Sequence, residues 1–241
     1  MPRFFCPQPL AIGQAVSLPE TVAHHAHVLR LDAGAPIVLF NGEGGEYAAT
    51  LETIEKRRAT ARITAFSDRG AELAMPITLA QALSEGAKMD WIIEKAVELG
   101  AASVQPLAAQ RCVVRLAGDR AQKKMQHWQG IAIAAAEQCG RNRVPGIADI
   151  ADFSSWIAKS PDQPRILLSP RADLSLTDWA RQNQPQALTL MIGPEGGFSE
   201  KEENAALERG AIALSMGARV LRTETAGMAA LAALNALWGG M

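Results

Sequence analysis

Ile77-Thr78-Leu79-Ala80-Gln81-Ala82-Leu83 is an apolar run of strand length, and Ala102-Ser103-Val104-Gln105-Pro106-Leu107 is a second. Between them Met89, Ile92, Ile93, Ala96 and Val97 recur at helical spacing, and Gly100 stands where a helix stop belongs. Strand, helix and strand thus fit within residues 77–107, which is the length of a βαβ unit. Downstream, a long helix is predicted over about residues 120–139, with Met125, Trp128, Ile131, Ala132, Ala135 and Cys139 on one stripe and Gly140 after it. Further strands at 165–168, 187–192 and 211–214 alternate with helical stretches near 175–183 and 199–209. Such alternation predicts an α/β domain with a largely parallel sheet.

Upstream of Ile77 the rhythm differs. Ile37-Val38-Leu39-Phe40, a turn over Asn41-Gly42-Glu43-Gly44-Gly45, and Glu46-Tyr47-Ala48-Ala49-Thr50-Leu51 read as a hairpin. Residues 59–66 supply another strand, and Ser67-Asp68-Arg69-Gly70 reads as a turn before a boundary. The expected domains are a small β module at 1–72 and the α/β domain at 73–241.

At 241 residues with 48 % hydrophobic and 20 % charged side chains, disordered and collagen-like classes are excluded. No stretch approaches the roughly 18 apolar residues of a spanning helix, and the N-terminus lacks an apolar signal core. A soluble, unexported chain without a membrane partner is expected. Cys6, Cys112 and Cys139 are odd in number and far apart, which suits a reducing cytoplasm.

Formal net charge is −1, yet residues 111–145 hold seven basic side chains against two acidic ones. Arg111, Arg115, Arg120, Lys123, Lys124, Arg141 and Arg143 read either as a phosphate-facing strip or as a solvated helix face.

Two loops carry the chemistry. Ile192-Gly193-Pro194-Glu195-Gly196-Gly197-Phe198-Ser199-Glu200-Lys201-Glu202 is glycine-rich and lies between an apolar strand and a helix start. In a parallel sheet such a loop sits outside the carboxyl ends of the strands, where ligands bind. Ser199 and Glu202 have capping-box spacing, and Glu200 and Glu203 add negative charge. A phosphate is disfavoured there, whereas a sulfonium or ammonium group suits an acidic loop. Neither GxxxxGK[ST] nor GxGxxG occurs. An ordinary tight turn remains the bland alternative.

The second loop runs from Met216 through Gly217, Arg219, Val220, Leu221, Arg222, Thr223, Glu224 and Thr225 into an apolar helix that must be buried in a core or an interface. Its polar residues either cap that helix and face solvent or line one pocket with the first loop. Elsewhere, His24, His25 and His27 lack partners for a metal, so none is expected, and they open a short helix or meet RNA. Phe4, Phe5, Trp91 and Trp128 are assigned to packing, and neither Cys112 nor Cys139 shows an activating histidine.

Taken together, several segments resemble the SPOUT methyltransferases, in the branch that methylates uridine N3 in small-subunit ribosomal RNA. They are Pro2 to Phe5, His27 to Arg30, Lys88, Ile93 to Gly100, Ala136 to Arg141, Ile192 to Glu202 and Gly217 to Ala226. Family members usually carry leucine where this chain has Met216, a volume-conserving change. The resemblance implies a PUA-like β-barrel that binds RNA, followed by a trefoil-knotted parallel sheet with helices, in a homodimer. Topology rules alone would argue against a knot. S-adenosylmethionine would lie bent among three loops, held mainly by backbone groups. Those loops are Leu168-Ser169-Pro170; Ile192, Gly193, Pro194, Glu195, Gly196 and Gly197; and Met216, Gly217, Val220, Leu221, Arg222 and Thr223.

Arg222 and Arg141 are expected near the nucleobase, with Glu224 accepting or relaying a proton. Expected RNA contacts are Arg3, Arg30, Lys88, Arg111, Arg115, Lys123, Lys124 and Arg143. Partners would be small-subunit ribosomal RNA or the assembled small subunit. The alternatives are a related methyltransferase acting on another RNA or on ribose oxygen, and a noncatalytic RNA-binding assembly factor.

Overall fold

The computed structural model describes residues 1–240 and divides into two compact units. Met1–Glu72 with Ala136–Val144 make the first, and Leu73–Ala135 with the described residues from Pro145 onward make the second.

In the first unit five strands form one sheet in the order β1-β3-β4-β5-β2. They are β1 (Arg3–Phe5), β2 (Ala15–Ser17), β3 (Pro36–Phe40), β4 (Glu46–Ile54) and β5 (Ala59–Ser67), with helix α1 (Glu20–Val28) between β2 and β3. The expected hairpin is β3–β4, paired antiparallel with Leu39 opposite Tyr47. Gly42, Gly44 and Gly45 all have positive φ in its turn, a region open to glycine because it lacks a Cβ. Phe4, Ile37, Leu39, Leu51 and Ile63 fill the core, against which Val22, Ala23 and Ala26 of α1 pack. His24, His25 and His27 lie on the exposed side of that helix.

Residues 136–144 close the unit from a distant part of the chain. Phe5 N donates to Glu137 Oε1 at 2.8 Å, and Asn142 Nδ2 donates to Arg69 O at 2.6 Å. Arg141 is 4 % exposed, and its Nε donates to Glu72 Oε2 at 2.9 Å. Burial raises the Glu137 carboxyl above its ordinary pKa, against the opposing hydrogen bond from Phe5. Removing one partner of a buried ion pair strands the other, so Arg141→Ala should destabilise the protein by about 3 kcal/mol. A urea titration measures this, and an unchanged midpoint would show the pair to be dispensable.

The second unit is built on a parallel sheet ordered β12-β10-β11-β6-β7-β8, with β9 also on β7. Its strands are β6 (Ile77–Ala82), β7 (Ser103–Ala108), β8 (Gly146–Ile147), β9 (Ala151–Asp152), β10 (Arg165–Leu168), β11 (Leu188–Ile192) and β12 (Ile212–Leu214). All five residues of the central strand β11 are buried, the pattern of a strand covered on both faces. The predicted βαβ unit is β6, α2 (Lys88–Glu98) and β7, with Leu79 opposite Val104 in parallel register.

Helices α3 (Gly118–Cys139), α4 (Phe153–Ile157), α5 (Leu176–Gln182), α6 (Glu200–Glu208) and α7 (Thr223–Trp238) complete the chain. The apolar α7 packs on α2, α5 and β11, burying Met228, Leu231 and Leu234. Trp128 is buried and donates its indole N–H to Asp90 Oδ1 at 3.0 Å. Trp91 corrects the packing expectation, since its side chain is 44 % exposed. The buried stripe of α2 is Met89, Ile92, Ile93, Ala96 and Val97, and position 91 falls off that stripe at 100° per residue.

Candidate active site

The loops that follow β10, β11 and β12 converge on one cavity of about 410 Å³, within the range of small-ligand sites. Its position outside the carboxyl ends of parallel strands is the usual ligand edge of such a sheet. Leu168, Ser169 and Pro170 come from the first loop, residues 192–197 from the second, and Met216, Val220, Leu221, Arg222 and Thr223 from the third. Of the fifteen residues expected to hold a cofactor, only Gly217 is absent from the lining, and it has φ +90° in the third loop.

Local chemistry explains each wall. At Gly193 an added Cβ would stand 2.8 Å from Phe198 N and 3.1 Å from two backbone atoms of Gly197, so the loop closes upon itself only over a glycine. Gly197, at φ +68°, donates its N–H to Pro194 O at 2.8 Å and tightens the turn. The capping box is present: Ser199 accepts from Glu202 N, and Glu202 Oε2 accepts from Ser199 N at 2.8 Å. The other carboxyl oxygen of Glu202 accepts from Gln110 N at 2.7 Å.

A polar relay then ties the third loop to the second. Thr223 Oγ1 donates to Gly193 O at 2.6 Å and accepts from Gln81 Nε2 at 2.9 Å. Gln81 is fully buried at the end of β6, opposite Ile192 in register, which brings its amide within reach. A polar residue inside an otherwise apolar strand was the available sequence signal for Gln81. Thr223→Val keeps the shape but leaves Gly193 O and the Gln81 amide short of a partner. It should lower stability by about 2 kcal/mol in chemical denaturation.

The electrostatics differ from the sequence-based expectation. Glu195 and Glu203 do line the cavity, but so do Arg111, Arg171, Arg219 and Arg222. Arg171 pairs with Glu203, and Arg111 Nη1 donates to Gly196 O at 2.9 Å, holding the glycine loop from outside. Arg219 and Arg222 have no ion pair among the described residues. The loop is acidic in sequence, whereas the cavity is mixed and carries more basic than acidic side chains, because arginines from other segments converge on it. Burial would raise the Glu195 carboxyl, but hydrogen bonds from Lys88 and the Glu85 backbone hold it below the usual carboxylate range, so it stays ionised at neutral pH. The walls therefore suit a zwitterionic ligand with both a cationic centre and a carboxylate.

The remaining predicted residues are dispersed. Arg222 precedes α7 as its N-cap and is exposed at the cavity. Glu224 lies in the first turn of α7, outside the cavity lining, with Oε2 buried and without a hydrogen-bond partner. Arg141 belongs to the first unit, held by Glu72. Arg3 is largely buried there, pairing with Glu46 and donating to Asn142 Oδ1 at 2.7 Å. Arg115 donates to Ala109 O and Gln110 O, and Lys88 Nζ donates to Glu195 Oε1 at 2.8 Å. Lys124 lies 3.8 Å from Asp90, while Lys123, Arg30 and Arg143 are exposed. Five of the eight expected RNA contacts, Arg3, Lys88, Arg111, Arg115 and Lys124, thus have local partners. Sequence reading missed Arg171 in the lining, and it named Phe198, Glu203, Arg219 and Ala226 in the two loops without assigning them to the cofactor.

Comparison with known proteins matches this architecture. An RNA methyltransferase domain model matches residues 71–235, and an RNA methyltransferase PUA domain model matches 18–64. The Ribosomal RNA small subunit methyltransferase E of Bacillus subtilis is 32 % identical, over 90 % of this chain and 87 % of its own length. A crystal structure of the Neisseria gonorrhoeae Ribosomal RNA small subunit methyltransferase E, bound to S-adenosyl methionine, is 40 % identical with a TM-score of 0.91, over 99 % of this chain and 98 % of that one. A putative methyltransferase from Legionella pneumophila, also with bound cofactor, is 36 % identical with a TM-score of 0.92, covering 97 % and 96 %. With the matched domains spanning both units and the three-loop cavity in place, the chain belongs to the ribosomal RNA small subunit methyltransferase E family of RNA methyltransferases.

Proposed function

We propose that this chain transfers a methyl group from S-adenosylmethionine to N3 of one uridine in small-subunit (16S) ribosomal RNA. The observation that carries this is the convergence of three loops on a single cavity at the carboxyl edge of the sheet. Its mixed charge complements a ligand that bears a sulfonium, an ammonium and a carboxylate. The bound donor supplies an electrophilic methyl carbon, and the protein's part is to hold the nucleophile in line and stabilise the charge that develops.

Arg222 is suited to the second task. Its guanidinium stands unpaired at the cavity and at the positive end of α7, so a uracil carbonyl oxygen gaining negative charge would find both there. Arg141 acts as a strut for the first unit in this account. The decisive experiment supplies labelled S-adenosylmethionine and small subunits from cells lacking the protein, followed by nucleoside mass spectrometry. One 3-methyluridine per subunit is expected; label in ribose, or none, would refute the assignment.

Four accompanying features belong to the same proposal. The 1–72 and 73–241 segments act as RNA-binding and catalytic domains, in the cytoplasm where ribosomes are made. Among the described residues no helix is long and apolar enough to cross a membrane. A knotted path is supported by the backbone after β12, where Ser215 donates to Leu174 O and accepts from Leu176 N, each at 2.9 Å. A homodimer is part of the same reading, with Val220, 81 % exposed on the cavity wall, as an apolar side chain for a second copy to cover.

A further inference from the structure

A second, more open concavity in the α/β unit lies outside the three-loop cavity. Glu85, Gly86, Ala87, Lys88, Trp91 and Glu224 line it. It adjoins the first through two links. Lys88 reaches across to Glu195 of the glycine loop, and Thr223 on the cavity wall is followed directly by Glu224 on this one.

Three of its side chains have properties that packing leaves unexplained. The Trp91 indole is exposed although α2 has a full apolar stripe without it. Glu224 lines the concavity, and its Oε2 has no donor among the described residues, a costly state for a carboxyl oxygen. Lys88 carries an ammonium held above its ordinary pKa by its hydrogen bond to Glu195 and by the charges of Glu195, Glu224 and Glu85, against a smaller desolvation effect.

We propose that this concavity receives the acceptor uracil: Trp91 stacks on the ring, Glu224 accepts the N3 hydrogen, and Lys88 faces a carbonyl oxygen beside N3. The imide edge presents acceptor, donor and acceptor in order. A carboxylate only accepts and an ammonium only donates, so Glu224 and Lys88 match adjacent positions of that edge. Cytosine offers a lone pair at N3, which would face the Glu224 carboxylate, and is rejected. During transfer the N3 electron pair bonds to the methyl carbon, the carbon–sulfur bond breaks with its pair remaining on sulfur, and the N3 proton passes to Glu224 and then to water. Trp91 is a positioning residue that holds the ring in line.

The inference rests on the cavity being the methyl donor's site, so donor affinity is measured first, by calorimetry on the full-length chain. Trp91→Ala, Trp91→Phe and Glu224→Gln should all retain it. Trp91→Ala should then raise KM for small subunits by about tenfold, consistent with the loss of one stacked base, and Trp91→Phe should restore it. Glu224→Gln should lower kcat by about a hundredfold, the usual range for a lost proton acceptor. Its activity should recover at higher pH, and also when the target carries 5-fluorouridine, whose N3 is more acidic. A merely structural role for Glu224 predicts neither recovery.

A readout independent of turnover is photocrosslinking of RNA bearing 4-thiouridine at the target, which should label the α2 segment containing Trp91. Normal transfer by Trp91→Ala with unchanged KM, or a crosslink confined to other segments, overturns this inference alone. A wild-type chain that transfers no methyl group overturns the underlying function as well.

Discussion

Gly193→Val should abolish measurable binding of S-adenosylmethionine while leaving the protein folded. Even the first carbon of the new side chain would lie 2.8 Å from Phe198 N and 3.1 Å from the Gly197 backbone, where no flexible side chain can yield. The loop must open, and Arg111 would lose its hold on Gly196 O. Overpacking of this kind costs about 1–3 kcal/mol, and a displaced loop no longer presents its wall to the ligand, so a fall in affinity of about a hundredfold is expected. Calorimetry gives the affinity and circular dichroism the fold. Binding within a few-fold of the parent would mean that the loop does not form the ligand's wall.

Arg222→Ala should have the complementary signature. Turnover should fall by about a hundred- to a thousandfold, the usual range for losing one group that stabilises developing negative charge. Donor affinity should change little, because the other walls and the Thr223 relay remain. Its fold should also survive, since Arg222 caps α7 through its backbone carbonyl, which accepts from Thr225 N and Ala226 N, and not through its side chain. Single-turnover kinetics at saturating donor separate the two quantities. A proportional loss of donor binding and turnover would reassign Arg222 from the nucleobase to the cofactor.

Features governed by short-range chemistry were legible in the chain. The β3–β4 hairpin, the βαβ unit at 77–107 and the Ser199–Glu202 capping box each depend on residues a few positions apart, and each formed as their spacing requires. Fourteen of the fifteen positions expected around a cofactor line the one cavity, because the resemblance marks whole loops. What escaped depends on distant convergence. Counting charge along the glycine loop predicted an acidic site, but Arg171, Arg219 and Arg222 enter the same cavity from two other loops. Gln81 joins Thr223 across 142 residues only because parallel register sets β6 beside β11. The stripe of α3 runs unbroken to Cys139, so nothing in its period announces that its last residues contribute to the other unit. Trp91 was misassigned because an aromatic on a helix suggests packing, whereas its angle on α2 decides the matter.

The assembly of the first unit from two separated stretches has a consequence for biosynthesis. When Glu72 leaves the ribosome, the partners of Phe5 N, Arg69 O and the Glu72 carboxylate have not yet been translated, since they reside at 137, 142 and 141. The amino-terminal body must therefore wait as an incompletely bonded intermediate until translation has roughly doubled the nascent polypeptide and delivered the end of α3.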